Sequence, residues 1–270
     1  MQFAKLNGIT LHYRVIGSPT EKPVIVFSNS LGTDFRIWDD VVDLLKSDYA
    51  IVTYDKRGHG LSDCGTAPHR IEDHVADLAA LLDHLALKNV ILCGLSVGGL
   101  IAQGLVASRP ELVGKLILSD TAHKIGTAES WNTRIDAIAR SGLASILDPV
   151  MERWFTPAFR SPANAAYQIY CNMFTRQPAD GYAATCAAIR DADFTRSTAK
   201  ISLPTLVIVG DQDGSTPPDL VRSTADMIAG SRFEVIAGAG HLPCIEQPRA
   251  FVALVRDFLG SHYLEGIVHG

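Results

Sequence analysis

Short, predominantly apolar runs alternate with helical patterns along most of this chain, and few architectures tolerate that arrangement. Val24 to Phe27, Ala50 to Tyr54, Val90 to Cys93, Val113 to Leu118, Thr205 to Val209 and Phe233 to Ile236 are brief and rich in β-branched side chains. They lack the polar alternation of a strand with one wet face, so each predicts a strand covered on both sides. Between them, Trp38 to Leu45, Val97 to Arg109, Leu220 to Ile228 and Pro248 to Leu259 read as helices. Ile71, Val75, Leu78, Leu82 and Leu85 recur at helical spacing and mark another. Covered strands separated by helices mean an α/β fold, with a mostly parallel central sheet flanked by helices. At the start, Asn7-Gly8 between two short alternating runs predicts a hairpin closed by a type I′ turn.

The alternation breaks after Asp120. From about Lys124 to Lys200 there is no convincing strand, only helical patterns with scattered aromatics. Residues 124–199 are therefore expected to form a helical cap inserted into one core built from residues 1–123 and 200–270. The last residues, Ser261 to Gly270, read as a loose tail, and no internal repeat is evident. With 47% hydrophobic residues there is ample material for a core. A net charge of −5 offers no basic face for nucleic acid. No N-terminal stretch pairs a basic start with an apolar run, and no segment reaches the ~18 apolar residues of a membrane span. Neither nucleic acid nor membrane is an expected partner. Five cysteines, an odd number without a C-x-x-C pair, read as reduced thiols in a cytoplasmic protein. Metal and phosphate-binding motifs are missing, so no metal and no cofactor is expected.

The chemistry concentrates in loops that follow predicted strands. Gly94-Leu95-Ser96-Val97-Gly98 joins a strand to a helix, the context of a nucleophile elbow. Glycines at both ends suit a tight turn from which Ser96 projects near the positive end of the helix. A hydroxyl needs a base. Among nine histidines, His241 in Gly238-Ala239-Gly240-His241 lies between the last strand and the last helix. The order serine, acid, histidine favours it over His59 and His123, which also follow strands. For the acid that orients the imidazole, Asp213, Asp211 and Asp120 all stand after strands and remain open on residue grounds. An oxyanion needs two donors. The backbone N–H of Val97 is one, and the loop Ser28-Asn29-Ser30-Leu31-Gly32 is expected to give the other.

With these residues placed, the chain resembles the α/β-hydrolase family along nearly its whole length. Asp55-Lys56-Arg57-Gly58-His59-Gly60-Leu61-Ser62 looks like that family's D-x-R-G-x-G-x-S loop, which reads as structural. Gly210-x-x-Asp213-x-x-Thr216-Pro217 resembles the acid loop, and the resemblance implies Asp213 as the acid and Leu31 as the second oxyanion donor. Most of the family carries His-Gly where this chain has Asn29-Ser30. Asn-Ser-Leu-Gly instead is similar to the 3-oxoadipate enol-lactonases of aromatic-compound degradation, as are Leu118-Ser119-Asp120-Thr121-Ala122, Ile125-Gly126, and Trp131 with Arg134-Ile135.

That resemblance implies a serine hydrolase that opens a small anionic enol-lactone through an acyl-enzyme on Ser96, without a cofactor. The substrate's acetate arm requires a cation or several donors. Every basic residue strictly between Lys124 and Lys200 is arginine, at 134, 140, 153, 160, 176, 190 and 196. Arg134 shares a helical face with Trp131 and is the expected anchor. Trp131 and Trp154 are expected pocket walls, and Asn29 and Ser30 are expected near the substrate. The same catalytic residues would serve a carboxylesterase or lactonase for another small ester. They also fit a C–C bond hydrolase, a cofactor-free haloperoxidase or a small-molecule receptor on the same fold.

Overall fold

The computed structural model describes residues 1–261, and the tail expected at the C-terminus lies outside the described residues. Eight strands form one sheet: β1 (Gln2–Leu6), β2 (Ile9–Ile16), β3 (Val24–Ser28), β4 (Ala50–Tyr54), β5 (Val90–Leu95), β6 (Val113–Ser119), β7 (Thr205–Gly210) and β8 (Arg232–Ile236). Their spatial order is β1-β2-β4-β3-β5-β6-β7-β8. The β1–β2 and β2–β4 pairs are antiparallel, and all others are parallel. Asn7 and Gly8 both have positive φ, 46° and 80°, the signature of a type I′ turn. Strands β4, β5 and β7 are buried at every residue, as strands covered on both faces should be. Edge strand β8 is buried only at Ile236.

Helices α1 (Asp39–Leu45), α2 (Ile71–His84) and α3 (Val97–Ser108) connect the first half. Phe35–Trp38 forms a separate 3₁₀ turn ahead of α1, capped by the Asp34 side chain. Between β6 and β7 the chain adds no strand. It runs through α4 (Ala128–Ser141), α5 (Leu147–Trp154), α6 (Ala165–Thr175), α7 (Ala179–Asp191) and the single turn α8 (Thr195–Thr198). The last part holds α9 (Pro218–Ala225), the short α10 (Pro243–Glu246), unexpected from sequence, and α11 (Pro248–Ser261). No helix among the described residues is long and apolar enough to cross a membrane.

Among the contacts that seat the inserted helices, two lie on the loop after β4. Gly58 and Gly181 touch backbone to backbone: a Cβ at Gly181 would lie 2.4 Å from Gly58 Cα. Nearby, the Gly60 N–H donates to Gln177 Oε1 at 2.8 Å. Residues 55–62 are held in turn by Arg57, whose guanidinium forks onto Asp77 of α2 with two 2.6 Å contacts. This pair is buried, so losing one partner would strand a charge at a cost of about 3–5 kcal/mol. Because β3, β5, β6 and β7 run parallel, the loops that follow them emerge at one edge of the sheet. The loop after β8 joins them, and the candidate site is built there.

Candidate active site

Strand β5 ends at Leu95 and α3 begins at Val97, which leaves Ser96 alone to make the turn, at φ 58° and ψ −118°. A non-glycine residue in such a region costs roughly 1–3 kcal/mol and persists only where its surroundings enforce it. Here they do. The Ser96 N–H donates to Ser119 O at 3.0 Å, and Thr121 Oγ1 donates to Ser96 O at 2.6 Å. The flanking glycines are obligatory, because a Cβ at Gly94 would lie 2.3 Å from Gly98 O. A Cβ at Gly98 would lie 2.1 Å from Ser28 O.

His241 sits in the loop after β8, and its N–H donates to Trp154 O of α5 at 2.8 Å. Its Nδ1 lies 2.9 and 3.0 Å from the two carboxylate oxygens of Asp213. The Asp213 carboxylate also accepts from Ser215 N–H at 2.7 Å, Thr216 N–H at 2.9 Å and Thr216 Oγ1 at 2.7 Å. Ser96 and His241 line the same cavity, with no hydrogen bond between them. Asp211 is exposed and accepts from Ala239 N–H at 3.2 Å, a turn role.

Asp120 has a different place. It is fully buried beside Asp213, and the ligand atoms of Asp120, Asp213 and His241 lie within 4.8 Å of one another. Two buried carboxylates this close cannot both ionise. Burial, then the Asp213 charge, pushes Asp120 well above the ordinary carboxylate range. Asp213 receives the greater number of donors. Donors already engage Asp120 as well, from Gly210 N–H at 2.9 Å and Ser119 Oγ at 2.5 Å. Internal donors thus already occupy the oxygens that the cluster would offer a cation.

The rival histidines serve elsewhere. His59 accepts the Gly32 N–H on Nε2 at 2.9 Å, so its proton sits on Nδ1 toward Arg57 O, and burial holds its pKa well below the usual value. His123 pairs with Thr224 Oγ1 at 2.9 Å, away from the cavity. Among the described residues, the N–H groups of Leu31 and Val97 have no acceptor. Lys56, Thr33 and Asn29 hold the Leu31 loop from beneath.

The cavity measures about 550 Å³. Ser30, Leu31, Ser96 and His241 form its floor, and Trp131, Arg134, Trp154 and Tyr182 lie above. Arg134 stacks 4.8 Å from the Trp131 ring and donates to Tyr182 Oη at 3.4 Å. Trp131 spends its indole N–H on Ile125 O at 2.7 Å. Ser30 Oγ is buried without a partner, whereas Asn29 is not on the cavity wall. The Asn29 amide instead donates to Thr33 O at 2.8 Å, so its expected place beside the substrate is corrected to a brace inside the loop. Of the remaining cap arginines, only Arg153 reaches the cavity. Tyr182 and Lys56 were not singled out by sequence, which offers no signal for either. A larger cleft, about 940 Å³, borders β2 and α6 and contains none of the candidate catalytic residues.

Residues 25–254 match the Alpha/beta hydrolase family. The chain belongs to that family. Within it, the chain is 38% identical to 3-oxoadipate enol-lactonase 1 of Acinetobacter baylyi, covering 94% of this chain and 95% of that one. It is 36% identical to 3-oxoadipate enol-lactonase 2 of the same organism, over 91% of each chain. The crystal structure of the enol-lactonase from Burkholderia xenovorans LB400 superposes with a TM-score of 0.92 at 35% identity, covering 96% of this chain and all of that one. This α/β-hydrolase is thus an enzyme of the hydrolase class.

Proposed function

We propose that this α/β-hydrolase opens 3-oxoadipate enol-lactone with water to give 3-oxoadipate. The observation that carries the reading is one cavity that holds Ser96, His241 and the arginine of the Trp131–Arg134 stack. The enol-lactonase relatives support it. Asp213 holds His241 by Nδ1, which leaves Nε2 to take the Ser96 proton as Oγ attacks the lactone carbonyl. The N–H groups of Leu31 and Val97 receive the developing oxyanion. The ring C–O bond then breaks, and the enolate, still part of the acyl chain on Ser96, takes the proton back from His241 and relaxes to the ketone. An enolate leaves more readily than an alkoxide, so the acid side of catalysis carries little of the barrier. Water, deprotonated by His241, attacks the acyl-Ser96 ester and frees the new carboxylate. Arg134 holds the acetate arm throughout.

A spectrophotometric panel of the enol-lactone, saturated lactones and aryl esters tests this. A clear preference in kcat/KM for the enol-lactone is expected. Equal or better turnover of aryl esters would make the enzyme a general carboxylesterase instead.

A further inference from the structure

The loop at 55–62 carries a buried cation that the mechanism above leaves unused. Lys56 is 1% exposed, and no carboxylate among the described residues pairs with it. Its Nζ donates to Ser30 O at 2.5 Å and to Thr33 O at 3.3 Å. Thr33 Oγ1 donates to the same Ser30 oxygen at 2.8 Å. That oxygen and the Leu31 N–H belong to one peptide group. The bond is trans, so its C=O and N–H point in opposite directions within one plane. Anchoring the oxygen on Lys56 therefore turns the Leu31 N–H the opposite way, and Leu31 lines the cavity.

We propose that Lys56 is a positioning residue of the oxyanion hole: its ammonium, set on the Ser30 carbonyl, fixes and polarises the peptide group that offers the Leu31 N–H. The inference rests on Ser96 as nucleophile and Leu31 as donor, and not on the identity of the lactone. A charged donor on a carbonyl draws electron density toward the oxygen and leaves the N–H at the other end a stronger donor. A purely space-filling role is a poor account of this side chain. Burying an ammonium without an ion pair costs several kcal/mol that an apolar chain of equal length would not. The nearest carboxylates are already engaged: Asp55 by His12 Nδ1 and the N–H groups of Phe35 and Leu61, Asp34 by Arg36.

The arrangement is sensitive to pH. Burial lowers the Lys56 ammonium to about 7, against the opposing pull of Asp55 from its own loop and Asp34 from the turn before α1. The other titratable groups facing it are His59 of the same loop and His74 of α2, both kept neutral by burial. As pH rises through about 7 the charge is lost, and the donor weakens.

The test compares the parent, Lys56→Met and Lys56→Arg on 4-nitrophenyl acetate across neutrality. Fluorine NMR then follows the hemiketal that an alkyl trifluoromethyl ketone forms on Ser96. Loss of a whole oxyanion donor costs ~10²–10³ in kcat, so loss of its polarisation is expected to cost about ten-fold. In Lys56→Met, kcat falls by that amount with KM nearly unchanged, the hemiketal hydroxyl titrates at higher pH, and the decline of kcat above neutrality disappears. Lys56→Arg, charged throughout, keeps activity and also lacks the decline. A folded Lys56→Met with parental kcat and parental hemiketal titration overturns the proposal. So does a lower kcat that retains the parental decline. Should neither variant fold, Lys56→Gln, which keeps a donor for the Ser30 carbonyl but no charge, takes their place, and parental kcat with parental hemiketal titration there overturns the proposal. A parent that forms no hemiketal and cleaves no ester sinks the Ser96 reading, and this inference with it. Ester turnover without lactone turnover sinks only the lactone.

Discussion

Asp213 and Asp120 approach the same imidazole from different surroundings. Asp213 accepts from two backbone N–H groups, a hydroxyl and His241, whereas burial, then the Asp213 charge, raises Asp120 well above the ordinary carboxylate range and favours its neutral form. Asp213→Asn is therefore expected to lower kcat by about 10⁴-fold, the loss seen when a serine protease's acid becomes an amide. Asp120→Asn replaces one neutral group by another and should remain within about ten-fold of the parent, and exposed Asp211→Asn should be nearly silent. Steady-state kinetics of the three purified variants decide, and a crippled Asp120→Asn with an active Asp213→Asn would reverse the roles. Arg134 is expected to contribute roughly 1.5–3 kcal/mol as a charged contact, or one to two decades in kcat/KM. Arg134→Ala should lose that much on the carboxylate-bearing lactone and little on a neutral ester, with Arg134→Lys recovering part. Proportional losses on both substrates would make Arg134 a support of α4 instead.

At the scale of elements, the strands and the long helices were legible because their signal is local. Four to six mostly apolar residues in a row, several of them β-branched, need no knowledge of what lies on top. Assembly of the cap is another matter. Tyr182 sits in an alanine-rich helix with nothing beside it to mark a cavity wall, and it reaches Arg134 only when α7 packs on α4. Lys56 looks like any charged loop residue until residues 26 positions earlier fold over it. Asn29 was drawn to the substrate by its neighbours in sequence, but its amide satisfies Thr33 inside the loop. Ser96 and His241 stood out in the sequence because their loops follow recognisable strands, and the structure brings both to one cavity. The Gly58–Gly181 contact offers a test of how α7 is seated. Gly181→Ala would push a methyl into backbone that cannot rotate away, and overpacking of this kind costs about 1–3 kcal/mol. A melting temperature several degrees lower, with kcat/KM also reduced, is expected from calorimetry and kinetics. Parental values in both would mean that the cap shifts freely on its seat.

Over the whole molecule, buried neutral histidines set the response to acid. Burial lowers His59 and His74 well below the ordinary 6.5. A base whose folded pKa is depressed adds stability that is complete above its unfolded pKa and is lost as pH falls toward the folded value. Stability should thus decline below about pH 6.5, by up to ~1.4 kcal/mol per pH unit for each histidine. Lys56, lowered to about 7 by burial, extends the rising slope to the alkaline side of neutrality. Neither ring nitrogen of His74 has a partner, so His74→Leu should flatten the acid slope of the melting temperature. An unchanged slope would assign the acid sensitivity elsewhere. The inserted helices reach the core through main chain as much as through side chains. Gly181 meets Gly58, Trp154 O receives the His241 N–H, and Arg153 O receives the Gly214 N–H. Main-chain contacts are indifferent to residue identity but intolerant of any change in path. A cap transplanted from a relative would disturb the histidine and acid loops unless its backbone followed the same course. Side chains at positions such as 131, 134 and 182, which line the cavity, can be exchanged while the backbone that carries them stays in place.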